Sequence, residues 1–146
     1  LQKSEQFLRF VLGGTPYLLP SGASLAIEKR DGLVSNDTGR GGACAWRSVG
    51  SERWPVYCLD ADLRVARSGE WEEAIFLPGS PHAVGLAAQG VQLLPAGEAS
   101  LVPFRPIGPA PTRAGHLFNA AWVRDAQVVL VFDAGTLAQF LLGFGV

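Results

Sequence analysis

Charge of one sign is the first thing this chain lacks. Its 146 residues carry 12 basic and 13 acidic side chains, a formal net charge of −1. That balance leaves no field to draw in nucleic acid or an anionic surface. The basic residues are also scattered, with only Lys29 and Arg30 adjacent. Long apolar runs are missing too. None approaches the ~20 residues that span a bilayer, and charges interrupt Leu1 to Phe10, so no signal peptide or membrane insertion is expected. Methionine is absent, so Leu1 is expected not to be a native start but to belong to a fragment or processed product.

Cysteine and histidine are scarce, and their scarcity limits the chemistry. Two cysteines, Cys44 and Cys58, are too few for a disulfide framework and lack metal-ligand spacing. If the turn between them centres on Ser51, they face each other across neighbouring strands, close enough to bridge. Nothing in the sequence signals an oxidising compartment, so a pair of reduced, buried thiols is the expected state. His82 and His116 sit beside turns with no carboxylate or cysteine at ligand spacing, and read as structural. The glycines of Thr38 to Ala43 lack the Gly-Lys-Ser/Thr ending of a phosphate loop, and Gly79-Ser80-Pro81-His82 is no nucleophile elbow. No catalytic constellation, metal site or cofactor motif emerges, and an enzyme is not expected.

What is present is apolar residue, at 48% of the chain, enough to bury a real core. Within it one hairpin idiom is written twice. Ala45-Trp46, a polar turn, and Trp54-Pro55-Val56-Tyr57-Cys58-Leu59-Asp60-Ala61 make the first copy. Ala121-Trp122, a shorter turn, and Val128-Val129-Leu130-Val131-Phe132-Asp133-Ala134 make the second. Such repetition suggests two similar β-modules, although two weakly similar hairpins also arise by chance. The copies fall at 44–63 and 120–137 of what reads as one domain over 1–146.

Elsewhere the pattern is of short strands between turns. Phe7 to Leu12 and Tyr17 to Leu19 form a hairpin about Gly13-Gly14; Ala74 to Leu77 and Ala83 to Ala88 are further strands, with Val91 to Leu94 extended after them. Gly85 marks a place where side chains would crowd or the sheet must bend. Ala23 to Arg30 suits a strand or a short helix, and Asp31 to Gly42 a surface loop. Pro103, Pro106, Pro109 and Pro111 make 103–111 a stiff connector. Leu137, Phe140, Leu141 and Phe144 have helical spacing. Asp60 and Asp133 both read as helix N-caps. Of the four tryptophans, Trp71 anchors a solvated segment with Glu70, Glu72 and Glu73, and the repeat positions of Trp46 and Trp122 point to core packing.

Four segments in order resemble a CheW-like domain, the coupling fold of chemotaxis adaptors and of the ends of chemotaxis kinases. They are Phe7-Leu8-Arg9-Phe10-Val11-Leu12-Gly13-Gly14 through Pro20, Trp54 to Leu59, Ala83-Val84-Gly85-Leu86 with Val91, and the second hairpin through Asp133 and Leu137. The resemblance implies an all-β fold of two intertwined five-stranded SH3-like β-barrels with one or two short helices. It implies a non-catalytic, cytoplasmic adaptor in a chemosensory or pilus-motility system, joining a histidine kinase, receptor or scaffold protein through strand edges and an inter-barrel groove. Glu28, Arg30, Arg47 and Arg53 are then the expected partner contacts, ordinary surface charge being the plainer account of each. The chain departs from the family at Arg47-Ser48-Val49-Gly50, where Asn-Leu-Arg-Gly is usual, at the extra Ser51-Glu52, at Cys58 in place of aspartate, and in its glycine-rich loop. A different class remains open beside it: a small-molecule-binding barrel whose pocket is lined by Trp46, Trp54 and Trp122.

Overall fold

A computed structural model describes residues 5–145; the reading of Leu1 as an internal residue lies outside them. The strands are β1 (Phe7–Leu12), β2 (Thr15–Pro20), β3 (Ala26–Lys29), β4 (Val34–Ser35), β5 (Ala45–Val49), β6 (Glu52–Leu59), β7 (Val65–Ala66), β8 (Glu73–Leu77), β9 (Val84–Leu93), β10 (Leu101–Pro103), β11 (Phe118–Arg124) and β12 (Gln127–Phe132). One α-helix among the described residues, α1 (Ala134–Leu142), follows the last strand.

These strands curl into two barrels that share β9. In the first, β9–β1–β2–β12–β11–β10 lie side by side; in the second, β3–β8–β9–β6–β5–β4 do, with β7 flanking β6. The two paths have one pattern. A hairpin (β1–β2 or β8–β9) meets one of the repeated Ala-Trp hairpins (β11–β12 or β5–β6) through a parallel pair. Leu130 lies opposite Tyr17 in one, and Val56 opposite Gly85 in the other. Parallel neighbours need a long crossover, so each barrel is completed by strands distant in sequence. β9 itself divides its pairing, Val84 to Ala88 with β8 and Gln89 to Leu93 with β1.

Three apolar clusters fill this frame. The central one draws Phe10 and Phe132 from the first barrel, Tyr57 and Leu86 from the second, and Leu137 and Leu141 from α1. Each such side chain contributes about 1.5–3 kcal/mol by leaving water. Leu18, Trp122 and Val131 form a second cluster in the first barrel, and Val56, Trp71 and Phe76 a third in the second. Gly85 is there because space is short: a Cβ would stand 2.8 Å from Phe76 Cε1 and 3.0 Å from Val56 Cγ2. Gly13 has φ +54° and its missing Cβ would meet Ala61 N at 2.4 Å, so the β1–β2 turn lies directly on the loop after β6.

Local readings are settled individually. Residues 26–29 are strand rather than helix, because β8 offers them a full antiparallel partner from Ala26↔Phe76 to Lys29↔Glu73. Asp133 caps α1, accepting a 2.9 Å hydrogen bond from Thr136 N–H. Asp60 does not cap a helix. Its carboxylate accepts from the N–H groups of Asp62 (2.9 Å) and Arg64 (3.0 Å), closing a turn that returns the chain to pair as β7. The expected facing of Cys44 and Cys58 is also corrected. The β5–β6 register pairs Ala45 with Val56 and Val49 with Glu52, and Cys44 lies beyond it with its N–H bonded to the Val56 carbonyl. Both cysteines are free thiols in the core of the second barrel.

Candidate functional site

Arg47 and Glu28 come together at the mouth of the second barrel. Strand alternation places Arg47 on the same face as its cross-strand partner Trp54. Its guanidinium lies 5.3 Å from the Trp54 ring centre and 5.3 Å from that of the buried Phe76. From there Nη2 donates to Glu28 Oε1 at 3.0 Å. β3, which carries Glu28, and β5 stand near opposite ends of the sheet path, so this contact bridges the seam where the sheet curls round. With 27% and 37% of their side-chain surfaces exposed, the pair forms a lid that water still reaches. A half-exposed pair of this kind is worth at most about 1 kcal/mol.

The other two expected contacts lie elsewhere. Arg53 lies opposite Ser48, on the face of the hairpin that carries Trp46, with its guanidinium 4.3 Å from the Trp46 ring centre. Arg30 covers Trp71 at 4.4 Å and donates through Nη1 to the carbonyls of Gly69 (3.3 Å) and Trp71 (3.2 Å). The structure therefore unites Glu28 with Arg47, sets Arg53 on the opposite hairpin face, and gives Arg30 a separate task holding the Gly69–Trp71 segment. Beside the lid, the outer edge of β3 pairs with nothing among the described residues, and Leu25 and Ile27 are exposed along it. An open strand edge with apolar side chains is a ready template for a partner strand.

Trp46, Trp54 and Trp122 do not share a pocket. Trp46 packs on the central cluster, Trp54 on that of the second barrel, and Trp122 within that of the first. A cavity of about 440 Å³ is lined instead by Leu63, Phe104, Leu117, Phe118, Leu130 and Phe140, with Asp62, Thr112 and His116 among its polar members. Sequence reasoning passed over these residues because most sit in or beside the proline-rich connector. Phe104 and Ile107 among its prolines are the signal that could have marked it.

Burial raises both thiols, Cys44 to about 12, where the neighbouring Cys58 adds to the effect and a backbone hydrogen bond and Arg30 oppose it. Such thiols are poor nucleophiles and poor metal ligands. Among the described residues no group of three or more His, Cys, Asp or Glu is placed to hold a metal ion, and no helix is long and apolar enough to cross a membrane.

A comparison with solved structures identifies the architecture. A CheW scaffolding protein from Thermoanaerobacter tengcongensis superposes over 94% of this chain and 89% of its own, with a TM-score of 0.61 and 13% sequence identity. The fold is CheW-like. No family model matches the sequence, and no curated protein does. In the CheW-like frame, the Glu28–Arg47 lid and the open β3 edge belong to the second barrel, while the large cavity lies between the turn after β6 and the β10–α1 region.

Proposed function

We propose that this chain is a non-catalytic adaptor domain of a bacterial chemosensory or pilus-motility system, binding a histidine kinase, receptor or scaffold protein. The observation that carries the reading is likeness to a scaffolding protein along nearly the full length of both chains. An open β3 edge, exposed Leu25 and Ile27, and a charged lid beside them support a docking surface there. Glu28, Arg30, Arg47 and Arg53 are proposed as partner contacts, Glu28 and Arg47 beside the β3 edge and Arg53 on the opposite hairpin face, where no carboxylate among the described residues pairs with it. Cytoplasmic location is part of the same proposal.

Calorimetric titration of the folded chain with the regulatory domain of a chemosensory histidine kinase from the same organism tests it. Micromolar binding, about −8 kcal/mol, supports the adaptor. A folded chain that binds neither the kinase domain nor receptor tips and scaffold proteins of that system sinks it. Within a positive result, Arg53→Glu is expected to weaken affinity about tenfold while leaving the urea midpoint in place; unchanged affinity removes Arg53 from the interface.

A further inference from the structure

The connector between β10 and β11 is built as one wall of a groove rather than as a tether. Phe104 and Leu117 turn inward from it to face Leu130 on β12 and Phe140 on α1 across the cavity of about 440 Å³. A second cavity of about 260 Å³ continues past Pro111, Thr112 and Phe140, which both share, to Gly143 and Phe144. The two form one trough along α1. No backbone hydrogen bond holds 105–111 among the described residues, and Ile107 at its tip is 100% exposed. The wall is anchored at its ends, by Phe104 N–H to the Asn119 carbonyl at 3.0 Å and by the Thr112–Gly115 turn.

The connector's own charge is of one sign. Between Glu98 and Arg124 the chain has no acidic residue, and the connector carries Arg105, Arg113 and His116. Arg113 lines the trough itself, and Arg105 is exposed between the lining residues Phe104 and Pro106. α1 and the residues after it add no charge at all. Asp62 is the carboxylate on the wall, at the end formed by the turn after β6. The rest of the chain has the opposite bias, so the basic wall is a local feature of a molecule with net charge −1.

We propose that this trough binds an acidic amphipathic segment of a partner protein, whose apolar side chains seat against Phe104, Leu130 and Phe140 while its carboxylates meet Arg105 and Arg113. The occupant is a peptide segment because the trough is elongated and open, running through two adjoining cavities beside an exposed isoleucine and the connector's arginines. The site shares no residue with the Glu28–Arg47 lid, so it supplies a second contact to the adaptor proposed above and rests on that reading for its biological setting. Its chemistry stands apart from that setting and can be tested without any chemosensory protein.

The probe is a fluorescent amphipathic helical peptide with leucine and phenylalanine at i, i+3 and i+4 and glutamate elsewhere, titrated into the full chain by anisotropy. Its twin carries lysine for every glutamate. Saturable binding of the acidic peptide, weakened roughly tenfold in the twin and in Arg105→Glu/Arg113→Glu, is expected. Asp62→Asn is expected to tighten it. Phe104→Ser and Ile107→Ser, both on the exposed connector, are expected to weaken it without moving the urea midpoint. Equal affinity for both peptides, or no saturable binding of either by the folded chain, overturns the proposal, as does binding that survives Phe104→Ser and the double charge reversal. Kinase-domain binding without peptide binding refutes the trough alone; the converse refutes the adaptor reading alone.

Discussion

Arg47 shows how one side chain is committed by its surroundings. Its guanidinium spans two aromatic rings and one carboxylate, so removing it uncovers Phe76 as well as freeing Glu28. Arg47→Ala is therefore expected to cost more stability than Glu28→Ala, and a double-mutant cycle in urea should give a coupling of about 0.2–1 kcal/mol for the pair itself. A coupling near zero would mean that the lid is held by the rings alone. Cys44 permits a second forecast. Its thiol, ordinarily near 9.0, is pushed up to about 12 by burial, so the folded state keeps a proton that the unfolded chain has lost. That contribution is fully present below pH ~9 and falls away as pH rises toward ~12. Cys58, Tyr17 and Tyr57 are raised in the same direction, so the measurement is a difference: Cys44→Ala should lose less stability than wild type between pH ~9 and ~12. Parallel pH profiles would show that Cys44 ionises as freely in the fold as outside it.

At the scale of elements, α1 is a terminal helix with a central position. Leu137 and Leu141 are fully buried in the cluster that both barrels share, and the helix is started by the Asp133 cap. Leu137→Ala is expected to cost about 2–5 kcal/mol, and Asp133→Ala about 1 kcal/mol, each read from the urea midpoint. The order of those losses tests whether packing or capping dominates. This helix was legible in the sequence because Leu137, Phe140, Leu141 and Phe144 repeat at helical spacing after an Asp. The same grammar failed at Asp60, where the following residues have no apolar stripe to bury and β6 offers β7 a strand partner instead. β4 and β7 are two residues each, too short to leave any periodicity. The hairpins were legible through Gly13-Gly14 and the Ala-Trp idiom, since a tight turn is a local signal. The Glu28–Arg47 contact and the trough were not, because each joins residues that only barrel closure or the return of α1 brings together.

For the whole molecule, the sharing of β9 decides how the two barrels respond to stress. Its first half is the inner strand of the second barrel and its second half pairs with β1 in the first. The central cluster likewise takes side chains from both barrels and α1. Neither barrel can open without breaking a strand of the other and exposing that common core. The chain should then unfold as one unit, although its topology has two repeats. The direct test places one large-to-small change in each peripheral cluster, Val131→Ala in the first barrel and Phe76→Leu in the second. Each should move a single transition to lower urea, with tryptophan fluorescence and far-ultraviolet circular dichroism coinciding. Trp122 reports on the first barrel, and Trp54 and Trp71 on the second. If Val131→Ala shifts only the Trp122 signal and Phe76→Leu only the others, the barrels are separable, and β9 is a linker that each can release. A single shared shift for both variants means that a partner docking on the β3 edge acts on the same cooperative unit that carries the trough beside α1. Coupling between the two surfaces would then run through β9 and the central cluster.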